Sequence, residues 1–150
     1  MNYSFVCQQL SALTQDVPHT IANLANAAAL LWQELPEINW AGFYILEQDI
    51  LVLGPFQGKA ACIEIPVGRG VCGTAVAENA TQLVPDVHAF PGHIACDSAS
   101  RSEIVIPIRN KGKIWGVLDI DSPNLSRFTE FDRIGLEQFV AILEKALFGN

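Results

Sequence analysis

Residues 102–122, SEIVIPIRNKGKIWGVLDIDS, decide the fold, because they have the pattern of two strands joined by a tight turn. The runs SEIVIPIR and KIWGVLDIDS are rich in β-branched residues, and NKGK between them supplies turn formers. Successive side chains of a strand point to opposite faces, so Asp119 and Asp121 point one way while Leu118 and Ile120 point the other. The stretch therefore predicts an antiparallel hairpin with one apolar face.

The flanking sequence adds strands upstream and helices at both ends. Residues 40–46 and the run ILVLGPF predict a second hairpin around the turn EQD, and QLVP predicts a short strand. A further strand is expected over about residues 61–66, and it would carry Cys62. Terminal helices are expected over about residues 5–14, from Pro18 onward, and after Thr129, which with Asp132 resembles a capping box.

The helical spacing of apolar residues predicts which helix faces enter the core. On the helix after Pro18 this face comprises Ile21, Leu24, Ala25, Ala28, Leu31 and Trp32, and on the last helix it comprises Phe131, Ile134, Phe139, Ile142 and Leu143. Together the predicted strands and helices indicate one α+β domain over residues 1–150. About six strands form an antiparallel sheet, the terminal helices cover one face, and a ligand pocket with loops occupies the other.

The second face of this sheet collects unusual side chains, namely Trp40, Tyr44, Glu103, Asp119 and Asp121. One interpretation is that the acids are solvated on an exposed face. The other is an acidic, aromatic cup that holds a small cation such as the ammonium group of an amino acid. In such a cup neighbouring carboxylates would raise one another's pKa, so that one could donate a proton near neutrality.

Composition excludes several classes of protein. Half of the 150 residues are apolar and 17% are charged, which is typical of a globular domain. The formal net charge of −7 argues against nucleic acid and anionic membranes as partners. No apolar run reaches transmembrane length and no secretory signal is recognisable at the first residues, so we expect a cytoplasmic protein.

Four cysteines are then best interpreted as reduced or reactive thiols. They are Cys7, Cys62, Cys72 and Cys96. Neither a C-x-x-C pair nor a usual zinc spacing is present, so we expect no metal and no cofactor. Cys96 falls in the polar loop GHIACDSASR, and Cys72 follows closely spaced glycines near a helix start, where the helix dipole would favour a thiolate. His88 and His93 are expected to be surface loop residues.

Several of these motifs resemble the free methionine-(R)-sulfoxide reductases, a single-domain family with the GAF fold. GRGVCGTAV, VPDVHAFPGHIACDSASRSEIVIPI and GVLDIDSP carry the resemblance. GVLDIDSP is general to GAF domains, whereas GHIACD, SEIVIP and the spacing of three cysteines are specific. The resemblance implies reduction of free methionine (R)-sulfoxide, recycling by thioredoxin, a role in oxidative stress and a homodimer.

The resemblance also implies a role for each site residue. Cys96 matches the cysteine that attacks the sulfoxide sulfur, Cys62 the resolving cysteine that forms a disulfide with it, and Cys72 an auxiliary or alternative partner. Which of Cys62 and Cys72 is the main partner stays open. The remaining matches are carboxylates that hold the amine and assist protonation of the oxygen, and aromatics around the S-methyl group, namely Glu103, Asp119, Asp121, Trp40 and Tyr44.

Two other classes of function remain to be weighed. A non-catalytic GAF sensor would bind a small ligand, but such domains are usually fused to an output domain, and an acidic pocket would repel a phosphate. A thiol redox sensor or zinc-binding module would need the cysteines but not the carboxylates. Turnover of free methionine sulfoxide separates all three.

Overall fold

The computed structural model describes residues 1–94, 96 and 98–149. Its centre is one six-stranded antiparallel sheet, built around the two hairpins that the sequence predicts. In chain order the strands are β1 (Trp40–Glu47), β2 (Ile50–Gly58), β3 (Glu64–Pro66), β4 (Gln82–Val84), β5 (Ser102–Asn110) and β6 (Lys113–Ser122). Their order across the sheet is β3-β2-β1-β6-β5-β4.

Three long helices cover one face of this sheet. They are α1 (Tyr3–Thr14), α2 (Thr20–Glu34) and α4 (Glu130–Phe148). Their apolar side chains share a core with Ala41 and Phe43 of β1, Ile104 of β5 and Leu118 of β6. The period-two alternation places these strand residues on the same face, so the predicted α+β class and helix layer are confirmed.

The opposite face carries a second, smaller core under the short helix α3 (Gly70–Glu78) and a 3₁₀ turn at Val87–Ala89. Trp40, Tyr44, Val105 and Val117 supply the sheet side of this core. The sheet is therefore covered on both faces, and the loops before and after α3 lie over the face that carries the acids.

The predicted strand over residues 61–66 is shorter than expected, and Cys62 precedes it. The ladder between β2 and β3 has only three residue pairs, starting at Glu64. The carbonyl of Cys62 instead accepts a hydrogen bond from the Tyr44 hydroxyl at 2.8 Å. The chain leaves the sheet at this point, because a side chain rather than a neighbouring strand binds the backbone.

The start of α2 also differs from the expectation, since Pro18 lies before the helix and His19 is its N-cap. The Asn23 side chain donates a hydrogen bond to the carbonyl of Val17 at 3.0 Å. This bond closes the turn ahead of the helix and moves its first residue to Thr20.

The capping box of Thr129 and Asp132 at the start of α4 is confirmed.

The buried faces of α2 and α4 are rotated from the predicted ones. Phe131 and Ile134 are 60% and 51% exposed, and the buried apolar face of α4 comprises Leu136, Phe139, Val140 and Leu143. On α2 the predicted residues Ile21, Ala25 and Trp32 are exposed. The cause on α4 is Gly135, where an added Cβ would collide with the Tyr3 ring of α1. The close approach at this glycine fixes the rotation of α4, and hydropathy alone gives no weight to a glycine.

Candidate active site

Strand register brings the predicted acids together on the second face of the sheet. Asp121 of β6 pairs with Trp40 of β1 on one side and with Glu103 of β5 on the other, and Asp119 pairs with Gly42. Glu103 and Asp119 are only 7% and 6% exposed. The interpretation of these acids as a solvated surface is therefore wrong for these two, because the loops and α3 bury them.

Seven of the eight predicted site residues line one pocket. The eighth, Cys62, is joined to this pocket by its disulfide bond to the lining residue Cys96. The remaining walls come from Ile65, Val71 and Ile94 with several small residues. The mixture of apolar walls with convergent polar groups is typical of a small-molecule site.

An aromatic stack forms one wall of the pocket. The Trp40 ring lies 5.1 Å from Phe56 and 5.9 Å from Tyr44, measured between centroids. The indole N–H of Trp40 donates to the Lys59 carbonyl at 3.0 Å, which fixes the ring orientation. Phe56 was not expected from the sequence; it packs behind Trp40 and supports it.

Two carboxyl groups of the pocket, those of Glu103 and Asp119, have raised pKa values. Burial, followed by the negative charges of Asp119 and Asp121, raises the pKa of Glu103 well above its usual range. Burial also raises the pKa of Asp119. Glu103 is thus suited to hold a proton near neutrality and to give it to a substrate.

The described lining of the pocket places no lysine or arginine beside its acids. The Asp119 Oδ1 atom has no hydrogen-bond partner among the described residues. A buried acceptor in this state is costly unless a ligand supplies a donor, so the site is suited to a small cation.

The thiols fall into three environments. Cys96 and Cys62 are joined by a disulfide with a Cα separation of 5.7 Å. Cys72 is unbonded and buried on α3, and Cys7 is buried on α1, away from the pocket. The pair formed by Cys62 and Cys96 is the one that the family resemblance implies.

The expectation of a favoured thiolate at Cys72 is wrong. Burial, followed by the charges of Asp119 and Glu103, raises the pKa of the Cys72 thiol well above its usual value. The partial charge at a helix N-terminus is small and favours a thiolate only weakly. Here desolvation and adjacent acids oppose that effect and are larger.

A metal ion could in principle use part of this site. One ligand atom each from Cys72, Glu103 and Asp119 lies within 4.8 Å of the others. Thiol and carboxylate groups at this spacing are chemically competent ligands for zinc. The same atoms also face the pocket, where the cation of a small substrate would compete for them.

His93 belongs to the pocket, so its prediction as a surface loop residue is wrong. Its Nε2 atom lies 4.0 Å from Glu103 Oε1, and its side chain is 14% exposed. Burial, and then the proximity of His88, lowers the pKa of His93. His88 itself is exposed, as expected. The available signal was the position of His93 three residues before Cys96 in a loop expected to cover the acids.

The fold and this pocket define a class of protein. The GAF domain family model matches residues 9–147, which is almost the whole chain. The chain is therefore a GAF domain, with a disulfide-bonded cysteine pair at the pocket.

Comparison with individual proteins narrows the class. The free methionine-R-sulfoxide reductase of Escherichia coli (strain K12) is 59% identical over 145 residues, covering 97% of this chain and 88% of that protein. The reduced form of fRMsr of Staphylococcus aureus superposes with a TM-score of 0.95 at 56% identity, covering 97% of this chain and 95% of that one. The free methionine-R-sulfoxide reductase from Neisseria meningitidis, in complex with its substrate, superposes with a TM-score of 0.93 at 48% identity. The match covers 96% of this chain and 87% of that one. This chain belongs to the free methionine-R-sulfoxide reductase family of GAF domains.

Proposed function

We propose that this protein reduces free L-methionine (R)-S-oxide to L-methionine, with Cys96 as the nucleophile. The observation that carries the proposal is the disulfide between Cys96 and Cys62 beside a pocket that contains buried acids and has no lysine or arginine in its described lining. A sulfoxide reductase needs a soft nucleophile, a proton donor and a means of removing the oxidised sulfur product. Each of these has a candidate within this pocket.

The chemistry follows from the groups present. The Cys96 thiolate attacks the sulfoxide sulfur, and Glu103 gives its proton to the sulfoxide oxygen. The new bond between the Cys96 sulfur and the substrate sulfur forms, the sulfur–oxygen bond breaks, and the oxygen leaves as hydroxide. Hydroxide then attacks the Cys96 sulfur, the sulfur–sulfur bond breaks, methionine leaves with that electron pair, and Cys96 is left as a sulfenic acid. The Cys62 thiol then attacks the Cys96 sulfur and expels water, which gives the disulfide. The protein is oxidised by two electrons and the substrate is reduced by two.

The pocket would recognise both ends of the substrate. Asp119 and Asp121 would bind the α-ammonium group, which supplies the donors that the Asp119 Oδ1 atom lacks among the described residues. The rings of Trp40 and Tyr44 would pack against the S-methyl group. Burial of the site favours this pairing, because water competes weakly inside it.

The remaining expectations concern partners and location. An external dithiol must reopen the disulfide, and we propose thioredoxin in this role, in defence against oxidative stress. None of the helices in the described ranges is long and apolar enough to cross a membrane. We propose a cytoplasmic homodimer, and the exposed apolar side chains of Phe131 and Ile134 on α4 are available for contact between subunits.

A methionine-release assay tests the reaction. Reduced wild-type protein with racemic free methionine sulfoxide should release methionine from the R epimer only. Cys96→Ser should release none, because a hydroxyl is far less nucleophilic than a thiolate at neutral pH. Cys7→Ser is the matched control and should retain activity, since Cys7 lies outside the pocket. A folded Cys96→Ser protein that works at the wild-type rate would refute the assignment.

Selectivity for the free amino acid tests the pocket itself. N-acetyl-methionine sulfoxide has no ammonium group, so it would leave buried carboxylates unpaired at a cost of roughly 1–3 kcal/mol per group. We expect its turnover to be about tenfold to over a hundredfold lower than that of the free amino acid. Equal turnover of the two compounds would show that the acids do not recognise the amine.

A further inference from the structure

We propose that His93 is a positioning residue that stabilises the carboxylate of Glu103 once Glu103 has given its proton to the sulfoxide oxygen. The inference rests on the proposed function and adds a residue to it. It starts from the separation of 4.0 Å between His93 Nε2 and Glu103 Oε1 inside the pocket. The one other nitrogen-bearing side chain among the described lining residues is that of Trp40, and its indole N–H is bonded to the Lys59 carbonyl.

Glu103 needs such a partner because proton transfer leaves it charged in an unfavourable place. Its side chain is 9% exposed and Asp119 and Asp121 already lie beside it. A new negative charge there is repelled by both and is poorly solvated. A donor aimed at the carboxylate lowers the energy of the transition state in which that charge develops.

The loop that carries His93 is held in place on the other side of the pocket. The Gly70 N–H at the start of α3 donates to the Gly92 carbonyl at 3.1 Å, and the His93 N–H donates to the Phe90 carbonyl at 3.3 Å. His93 therefore points at Glu103 from an anchored backbone. Because Cys96 is three residues further along, the same loop carries the nucleophile and the group that supports the acid.

The separation of 4.0 Å is longer than a hydrogen bond. Cys96 is tied to Cys62 here, and this bond restrains the loop. A shift of about 1 Å, or one bridging water, would convert 4.0 Å into a hydrogen-bonded contact.

The groups that face His93 determine its charge. Glu103 faces it from β5, Asp119 from β6 and His88 from its own loop, while Asp121 and Cys72 line the same pocket. Burial and His88 lower the pKa of His93, and Asp119 opposes them. His93 is therefore a neutral imidazole near neutrality, and it acts by donating from Nε2–H rather than through a full charge.

A pair of variants tests the role in single-turnover experiments on the reduced protein. His93→Leu removes the donor, and we expect the maximum rate to fall roughly 10- to 100-fold, with the substrate concentration at half-maximum little changed. His93→Gln keeps an N–H donor and should retain more of the rate than His93→Leu. His19→Leu is the matched control, since His19 is exposed at the start of α2, and it should behave as the wild type.

The pH profile separates this role from a structural one. Loss of the donor destabilises the Glu103 carboxylate and so raises its pKa further. In the wild type the single-turnover rate falls at alkaline pH, where the acid form of Glu103 is lost. In His93→Leu this fall should move to higher pH, and the maximum rate should be lower. The proposal for His93 is overturned if His93→Leu reaches the maximum rate of the wild type. It is also overturned if the variant keeps its melting temperature and has a lower maximum rate, but its rate falls at the same alkaline pH as that of the wild type. Absence of turnover by the wild type in the same assay would instead overturn the proposed reductase function.

Discussion

Glu103 and Asp119 occupy positions where a carboxylic acid is unfavourable to the fold. Both are buried on the sheet, and both have a pKa above the usual value because burial penalises the charged form. Strand positions next to an aromatic wall would be more stable with neutral side chains. The stability that the protein loses at these two residues is what makes the pocket ready for a cation and a proton transfer.

We expect Glu103→Gln to stabilise the fold while it abolishes proton donation. In the unfolded chain a glutamate ionises above about pH 4.3, whereas folded Glu103 holds its proton to a higher pH. The free energy of unfolding of the wild type must therefore fall as pH rises from the unfolded towards the folded pKa. The variant lacks this loss and should be more stable by about 0.5–2 kcal/mol at neutral pH.

Urea unfolding of the oxidised proteins over a pH series measures this difference. The difference in free energy of unfolding between Glu103→Gln and the wild type should be small at acidic pH and should grow as the pH approaches neutrality. Glu64→Gln, on the exposed side of β3, is the matched control and should show no such growth. A gap that is the same at every pH would mean that ionisation of Glu103 is not its cause.

The two candidate resolving cysteines differ in their environments, which allows a second prediction. Cys62 is bonded to Cys96, while Cys72 is buried and its thiol is held protonated by burial and the neighbouring acids. Cys62→Ser should complete one turnover and then recycle poorly with thioredoxin, because the disulfide with Cys96 cannot form. Cys72→Ala should recycle at close to the wild-type rate.

Trapping of the sulfenic acid with dimedone gives an independent measurement. After substrate is added, Cys62→Ser should be labelled at Cys96 and Cys72→Ala should not, because Cys62 removes the sulfenic acid quickly in the latter. The reverse pattern of labelling and recycling would make Cys72 the principal partner.

At the scale of elements, α3 is positioned by a contact that only glycine allows. A Cβ on Gly73 would lie 2.5 Å from the Pro66 carbonyl oxygen and 3.0 Å from the Gly68 nitrogen. The Gly68 N–H also donates to the Gly73 carbonyl at 2.9 Å, so the first turn of α3 packs directly on the chain that leaves β3. This packing places Cys72 and the wall formed by Val71 over the acids.

We expect Gly73→Ala to push α3 away from β3 and to destabilise the protein by about 1–3 kcal/mol. Substrate affinity should also fall, since α3 forms part of the pocket. Thermal unfolding and titration with substrate measure the two effects. Gly112→Asn is the control, because its turn has open space around the Cβ position and asparagine tolerates its positive φ. A melting temperature of Gly73→Ala equal to that of the control would contradict the expected clash.

The elements also show what the sequence could predict. The alternation of side chains along the strands predicts one shared face for five residues, and the structure confirms the grouping: Trp40, Tyr44, Glu103, Asp119 and Asp121. This prediction succeeds because side chains alternate between the two faces along a strand. A shift of the strand register by one residue would therefore bury the wrong set of side chains. The turns set the register near the closed end of each hairpin, whereas the register of β1 against β6 joins segments that are distant in the chain.

Features set by contacts between distant elements could not be predicted in this way. Phe131 and Ile134 fit a helical period yet lie exposed, because the packing of Tyr3 against Gly135 rotates α4. The loop position of Cys62 depends on a bond from Tyr44, 18 residues earlier. The place of His93 in the pocket depends on how a long loop is anchored to α3. Each is a tertiary contact without a local sequence signal.

For the whole molecule, the helix layer and the pocket face make different contributions. The larger core lies between the sheet and α1, α2 and α4, and it contains none of the eight predicted site residues. The smaller core under α3 shares Trp40, Tyr44 and Cys72 with the pocket. Changes of redox state or ligand therefore act on the smaller core, while the larger one maintains the fold.

The disulfide should make the oxidised molecule more stable than the reduced one. Cys62 and Cys96 are 34 residues apart, and closing a loop of this length in the unfolded chain costs entropy worth about 4 kcal/mol in the chain-entropy treatment. Reduction removes this restraint, so the melting temperature should fall by roughly 10 °C for a domain of this size. Calorimetry of the oxidised protein and of the protein under excess reductant measures the shift.

Cys72→Ala should show the same shift as the wild type, whereas Cys62→Ser should melt at one temperature under both conditions. Equal melting temperatures of oxidised and reduced wild type would show that the unfolded chain is not restrained by this bond, or that the folded protein is strained by it to the same extent.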